Sequence, residues 1–213
     1  MDFISEKLTE YISKNSNIEP EILARLNQET HQKILKPRML SGHIQGRFLS
    51  MISKMKSPST ILEIGTYTGY GTLCLSEGLK EDGKIFTIDR NEELLKIQNK
   101  YFEKSGKRDK IIQLTGNAKE ILNDLNETYD LVFIDADKEN YIEYFKQVSE
   151  RLNKNGIIIS DNVLWSGKVL DSSLEKDEET NALVNFNKIL NEDKRFETVI
   201  IPLRDGLSIS RLI

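Results

Sequence analysis

The sequence predicts an α/β fold: an open, mostly parallel, seven-stranded sheet with helices on both faces and an antiparallel hairpin at the C-terminal end. Three observations predict it. From residue 60 onward, short β-branched runs alternate with helically spaced ones, as in strands joined by crossover helices. The strand runs are apolar on consecutive residues, as expected of strands buried on both faces. The last two runs are separated by so short a connection that they can only pair antiparallel.

Residues 1–57 read as an N-terminal helical segment, with Phe3, Ile4, Leu8, Tyr11 and Ile12 on one stripe. Pro20 suits the opening of a second helix, since a first-turn proline loses no helical hydrogen bond. Five runs then read as strands: Thr60–Gly65, Lys84–Asp89, Ile111–Leu114, Leu131–Asp135 and Ile157–Asp161. The helical run Thr72 to Leu79 carries Cys74 as a buried packing residue. Tyr141, Tyr144, Phe145, Val148 and Leu152 mark the clearest helix. Thr198–Pro202 and Leu207–Arg211, turned at Arg204-Asp205-Gly206, form the hairpin. The 213 residues are enough for one domain, 1–213, with 58–213 as its core.

Composition narrows the function classes. Acidic residues number 34 and basic residues 30, a net charge of -4, so there is no global electrostatic case for nucleic acid or an anionic membrane. The cluster Lys104, Lys107, Arg108 and Lys110 reads as a solvated loop. Cys74 is the single cysteine, which excludes an intramolecular disulfide framework and a cysteine zinc cluster. No stretch approaches the roughly 18 apolar residues of a membrane span. The amphipathic, charged N-terminus does not read as a signal peptide, so a cytoplasmic location is the default expectation. His31 and His43 read as structural or exposed.

In open α/β sheets ligands bind beyond the carboxyl ends of the strands, so the residues ending each strand carry the functional signal. The first strand runs into Glu63-Ile64-Gly65-Thr66-Tyr67-Thr68-Gly69-Tyr70-Gly71. This is a glycine-rich turn without the G-x-G-x-x-G spacing of a dinucleotide site, and its carboxylate would repel a diphosphate and welcome an ammonium. Asp89 ends the second strand, where an acid suits ribose hydroxyls. Gly116-Asn117-Ala118 follows the third and suits an adenine edge. A tight strand–helix connection explains the glycines alone. The whole set favours a nucleoside carrying an amino-acid-like cation, which describes S-adenosylmethionine better than NAD.

Two further strand ends are acidic, Asp135-Ala136-Asp137-Lys138 and Asp161-Asn162. Two carboxylates and an amide form an all-oxygen ligand set that suits Mg²⁺, Mn²⁺ or Ca²⁺ over zinc. The competing reading is that such residues cap the following helices. Burial and like charge both disfavour an ammonium, so Lys138 beside a dication is a candidate base toward a substrate hydroxyl. Trp165 either walls a substrate pocket or belongs to the core. The 164–180 loop and the N-terminal segment are the expected acceptor-pocket lining.

Taken together, Leu62–Tyr70, Phe133–Lys138 and Asp161–Trp165 resemble the cation-dependent class I O-methyltransferases, the catechol and caffeoyl-CoA O-methyltransferases and their bacterial relatives. Met39–Leu49 and Pro202–Leu207 extend the resemblance to residues 35–212. It implies a Rossmann-like methyltransferase fold, often a homodimer. Asp135, Asp161 and Asn162 would bind Mg²⁺ and Lys138 would be the base. Met39, Ser41, Glu63, Gly65, Thr66, Gly69, Gly71, Asp89, Ala118, Asp135 and Asp137 would surround S-adenosylmethionine. Trp165 and Ser166 would face the substrate. The sequence departs from the plant enzymes at Gly71 and Ser166, where those have serine and asparagine, and at Ile44-Gln45, where those have an acidic pair. The implied activity is metal-dependent methyl transfer to a vicinal diol of catechol type. Rival readings are a tRNA 5-hydroxyuridine O-methyltransferase, an NAD-dependent dehydrogenase and a non-catalytic cofactor-binding protein.

Overall fold

A computed structural model of the chain describes residues 4–170 and 177–213. Seven strands form one sheet in the order β3-β2-β1-β4-β5-β7-β6. They are β1 (Thr60–Ile64), β2 (Lys84–Asp89), β3 (Ile111–Thr115), β4 (Tyr129–Ile134), β5 (Leu152–Ser160), β6 (Phe196–Ile201) and β7 (Leu207–Leu212). β1 to β5 pair in parallel, and β7 pairs antiparallel with both β5 and β6. The chain runs outward from β1 to β3 and returns to β4, so the strand order reverses between β1 and β4. That reversal opens the crevice in which α/β sheets hold their ligands.

Among the described residues eight α-helices surround the sheet: α1 (Glu6–Lys14), α2 (Glu21–Lys33), α3 (Gly42–Lys56), α4 (Tyr70–Ser76), α5 (Leu95–Lys104), α6 (Ala118–Asp124), α7 (Tyr141–Ser149) and α8 (Glu178–Glu192). The period-2 geometry of each strand separates two cores. Ile61, Ile85, Leu131, Phe133 and Ile159 pack with Leu23, Leu26, Leu49 and Phe102 on one face. Leu62, Ile64, Phe86, Val132 and Ile158 pack with Tyr141, Phe145, Leu183 and Phe186 on the other. The expected apolar strands are therefore buried on both faces, and Cys74 is buried as a packing residue.

Local differences from the sequence reading have local causes. The N-terminal helical stretch is broken at 34–41 by Lys36 in a left-handed conformation and a 3₁₀ turn over Pro37–Met39. Pro20 is the N-cap of α2 and lies just outside its first turn. The helix around Cys74 starts and ends earlier than expected, at Tyr70 and Ser76. Leu152 leaves helix α7 and opens β5, because the Tyr129 amide donates to the Arg151 carbonyl at 2.9 Å and draws the chain into the sheet. Leu152 still packs on the cluster that its helical spacing anticipated. Phe3 lies outside the described residues, as does part of the 164–180 loop. Among the described residues no helix is long and apolar enough to cross a membrane.

Three cations of the basic cluster are committed to the backbone, and Lys104 lies over the Tyr101 ring. Lys107 Nζ donates to the Ser76 carbonyl at 3.2 Å, Lys110 Nζ to Lys80 at 3.0 Å and Arg108 Nη1 to Ile111 at 2.7 Å. These cations tie down the end of α4, the turn after it and the start of β3. His43 bridges Ser13 Oγ and the Asn17 carbonyl, and His31 contacts the Asn27 carbonyl, so both are structural.

Candidate active site

A pocket at the β1–β4 crevice is lined by Met39, Leu40, Ser41, Glu63, Gly65, Thr66, Tyr67, Tyr70, Gly71, Phe133 and Asp135. Seven of the residues singled out from sequence meet there: Met39, Ser41, Glu63, Gly65, Thr66, Gly71 and Asp135. Gly65 has φ +106, and a Cβ on it would run into the Asp135 backbone carbonyl, so only glycine lets the ends of β1 and β4 approach this closely.

Glu63 is fully buried. Its Oε2 accepts from the Thr72 hydroxyl and, at 2.6 Å, from the Thr87 hydroxyl. Its Oε1 is buried with no partner. Burial raises the Glu63 carboxyl to about 8, against the two threonine hydrogen bonds and with help from the Asp135 and Asp89 charges. A Cβ on Gly71 would lie 2.6 Å from that unpaired oxygen. The glycine therefore leaves the carboxylate open toward the pocket. A buried acid with one vacant acceptor is matched by a cationic donor, which is what an amino-acid ammonium offers.

Asp89 anchors the glycine-rich turn. It accepts from the Tyr67 amide at 2.6 Å and from the Asn91 amide at 2.8 Å, with one oxygen each, so lone pairs remain on both. Gly69, with φ +89, is the N-cap of α4. Ala118 opens α6 under the Asn117 cap and packs on the core. Neither these residues nor Asp137 line the pocket itself. Asp137 accepts from Tyr144 Oη at 2.7 Å and from Asn140 Nδ2. Burial would raise its carboxyl, but those bonds prevail and lower it.

The second acidic strand end lies beside the first. Ile134 pairs with Ser160, and the Asp161 amide donates to the Ile134 carbonyl at 2.9 Å, so Asp135 and Asp161 extend from neighbouring strand ends. Burial raises the Asp161 carboxyl, and the Asp135 charge raises it further. Asn162 follows in a left-handed turn, φ 60, which asparagine tolerates. Among the described residues no three or more His, Cys, Asp or Glu gather at one point, so a metal ion here would have two carboxylates and an amide. A buried Asp161 and a 22%-exposed Asp135 that repel one another across adjoining strand ends fit a hard cation.

Lys138 is buried with its Nζ 2.7 Å from Tyr141 Oη and 3.2 Å from Asp135 Oδ1. Tyr141 Oη donates in turn to the Asp161 carbonyl at 3.1 Å. The Lys138 ammonium is 5.9 Å from the centre of the Trp165 ring. Trp165 packs partly on the core, as one of its two sequence readings expected. Trp165, Ser166 and Gly167 all have positive φ. This bend is held by Asp205, whose Oδ1 accepts from the Ser166 amide at 3.1 Å and hydroxyl at 2.9 Å.

Sequence reading missed Gln45, Tyr141 and Arg204. The Gln45 amide reaches Asp161 Oδ2, and Arg204 reaches the backbone of 38–41. Tyr141 had a signal, since it stands three residues after Lys138 on one helical face. The other two fell within the motifs of the resemblance, Gln45 as a departure from it, but their partners are far away in the chain and their contacts had no local signal.

A family model described as O-methyltransferase matches residues 12–213. Caffeoyl-CoA O-methyltransferase 5 of Nicotiana tabacum is 34% identical, over 98% of this chain and 92% of that protein. Caffeoyl-CoA O-methyltransferase 1 of Arabidopsis thaliana is 34% identical, over 98% of this chain and 85% of that protein. Among solved structures, an SAH-bound methyltransferase of Podospora anserina superposes with a TM-score of 0.89 at 28% identity, over 98% of this chain and 94% of its own. An O-methyltransferase from Bacillus cereus in complex with SAH gives 0.89 at 26% identity, over 97% of each chain.

Proposed function

The chain belongs to the O-methyltransferase family and is an S-adenosylmethionine-dependent O-methyltransferase of the caffeoyl-CoA type, and from that premise we propose that it methylates one oxygen of a catechol-type vicinal diol in a divalent-metal-dependent reaction. One observation carries the proposal. Asp135 lines the cofactor pocket, neighbours Asp161 across the β4–β5 pair and receives the Lys138 ammonium. Cofactor, cation and base would therefore converge on one strand end.

When bound, S-adenosylmethionine supplies the methyl group, and a divalent cation lowers the pKa of a chelating hydroxyl. Asp135, Asp161 and Asn162 would hold that cation. The vacant Oε1 of Glu63 would take the cofactor ammonium, and Asp89 the ribose hydroxyls. Gly65, Thr66, Gly69, Gly71, Ala118 and Asp137 would complete the cofactor's surroundings. Leu40, Tyr70 and Phe133 would keep water from the pocket, while Met39 and Ser41 would close over the bound cofactor. Lys138 Nζ would accept the hydroxyl proton. Alignment of oxygen, methyl carbon and sulfur does the remaining work, an orientation effect on the order of 7–11 kcal/mol. Trp165 and Ser166 would border the acceptor.

The same reading includes a homodimer. Met51 and Met55, exposed one turn apart on α3, are candidate contacts, and sedimentation would test it. The primary test is methyl transfer from S-adenosylmethionine to caffeate with Mg²⁺ and with excess EDTA. Product with Mg²⁺ that disappears with EDTA is the expected result, and turnover undiminished in EDTA would remove the metal. Cofactor binding without turnover on any diol would redirect the acceptor search to tRNA.

A further inference from the structure

Arg204 stands in the turn between β6 and β7, yet its guanidinium grips the opposite end of the chain. Nη1 donates to the Leu40 carbonyl at 2.6 Å and to the Ser41 carbonyl, and Nη2 to the Arg38 carbonyl at 3.1 Å. Leu40 and Ser41, with Met39 between Arg38 and Leu40, line the cofactor pocket. Leu40 also packs into the core and Ser41 is buried at the start of α3, but Arg204 is the side chain that ties the carbonyls of Arg38, Leu40 and Ser41 together. The segment's own turn contributes Met39 amide to Lys36 carbonyl at 3.0 Å and Leu40 amide to Pro37 carbonyl at 3.2 Å. Tyr67 Oη reaches the Leu35 and Lys36 carbonyls at 3.2 Å each, upstream of the pocket.

Arginine fits this task. Its planar fork presents several donors in fixed directions and stays charged at every relevant pH, so one side chain can satisfy three carbonyls together. Arg204 also has φ 51, a region that glycine occupies freely and other residues enter at a cost. A side chain kept there must gain from its contacts, and the contacts it makes are those on 38–41.

We propose that Arg204 is a positioning residue that holds the segment Arg38–Ser41 closed over the cofactor pocket, and so sets affinity for S-adenosylmethionine and not the rate of methyl transfer. The inference rests on the assignment of that pocket to the cofactor.

The test is Arg204→Gly in the full chain, a change that removes the clamp and relieves the left-handed backbone. Calorimetric titration with S-adenosylmethionine should give a Kd about 10-fold or more above wild type, the scale of one or two lost charge-assisted hydrogen bonds. The KM for S-adenosylmethionine should rise in parallel, with kcat within about 2-fold. Hydrogen exchange at residues 36–41 should accelerate in the cofactor-free protein. Arg204→Lys, whose ammonium cannot fork across three carbonyls, should fall between the two. Unchanged cofactor affinity in Arg204→Gly beside intact wild-type binding would overturn the clamp alone. So would a fall in kcat at unchanged Kd. A wild-type protein whose cofactor affinity does not respond to Glu63→Gln would overturn the pocket assignment, and the clamp's purpose with it.

Discussion

The Gln45 side-chain amide donates to Asp161 Oδ2 at 2.6 Å, across 116 residues of sequence, while the Gln45 carbonyl oxygen is buried with no partner. The Asn162 amide donates to the other Asp161 oxygen at 2.6 Å. Each oxygen of this carboxylate is thus oriented by one donor and keeps lone pairs for a further partner.

Gln45→Leu should weaken divalent-metal binding by about 10–100-fold, the usual cost of removing an orienting partner from a ligand. Titration with Mn²⁺ alone reads this without turnover. Gln45→Glu should act oppositely on two measurements. A third carboxylate beside Asp135 and Asp161 should lower the melting temperature of the metal-free protein and increase the stabilisation that Mn²⁺ gives. Unchanged Mn²⁺ affinity in Gln45→Leu would contradict the role of Asp161 as a ligand.

Lys138 donates to Tyr141 Oη and Asp135, and that pair of contacts fixes where a proton acceptor would stand. Lys138→Met should reduce kcat by about 10²–10⁴-fold, the range of a lost general base, with S-adenosylmethionine affinity unchanged. Tyr141→Phe keeps the buried ring and removes the hydroxyl that positions Lys138, so a smaller loss of roughly 10-fold is expected. Steady-state rates with the cofactor Kd measured alongside separate the two effects. A Lys138→Met enzyme with near wild-type kcat would exclude the lysine as base.

These contacts mark how far the sequence could be read. The strands were legible because burial on both faces demands uninterrupted β-branched runs, whereas the switch point depends on a strand order that only the folded sheet gives. Glu63, Gly65 and Asp135 were legible because a site at strand ends recruits the residues that end strands. Gln45 and Arg204 act from a helix and a turn whose partners depend on how α3 and the hairpin pack, and no local pattern encodes that. Leu152 was misplaced because apolar spacing records which face is buried and not which backbone delivers it.

Glu63 is held at about 8 chiefly by burial, so the cofactor-free protein keeps it protonated at neutral pH. A raised carboxyl costs nothing below its unfolded value near 4.5, penalises the fold increasingly as pH rises from there to about 8, and carries its full penalty above that. Cofactor binding, by placing an ammonium at Oε1, should favour the carboxylate and release a proton. Affinity for S-adenosylmethionine should therefore rise from pH 6 to about 8 and then level. Glu63→Gln should abolish that dependence and weaken binding, yet raise the melting temperature of the free protein above pH 8. Calorimetry in buffers of different ionisation enthalpy counts the proton directly. A pH-independent Kd in the wild type would dissociate Glu63 from the cofactor.

Glu77 joins α3 to the end of α4. It accepts from Arg47 at 2.5 and 3.1 Å, from Ser50 at 2.7 Å and from Lys54 at 2.7 Å. Burial opposes ionisation, but these bonds prevail and hold the carboxyl at about 2. The depressed value means that this contribution is complete above about 4.5 and is lost as pH falls toward 2. Removing the acid should cost more than removing its exposed partner Lys54 would. The Arg47 side chain is 15% exposed and its Nε already lacks a partner, so Glu77→Gln leaves a mostly buried guanidinium without its counter-charge. Such stranding costs about 3 kcal/mol. Replacing both residues, as in Arg47→Met with Glu77→Gln, should recover part of that loss because no charge is left uncompensated. Urea unfolding of the two singles and the double at pH 7 and pH 3.5 tests the account. The singles should differ from wild type more at pH 7 than at pH 3.5, and a double mutant whose loss equals the sum of the singles would show that the pair is not coupled.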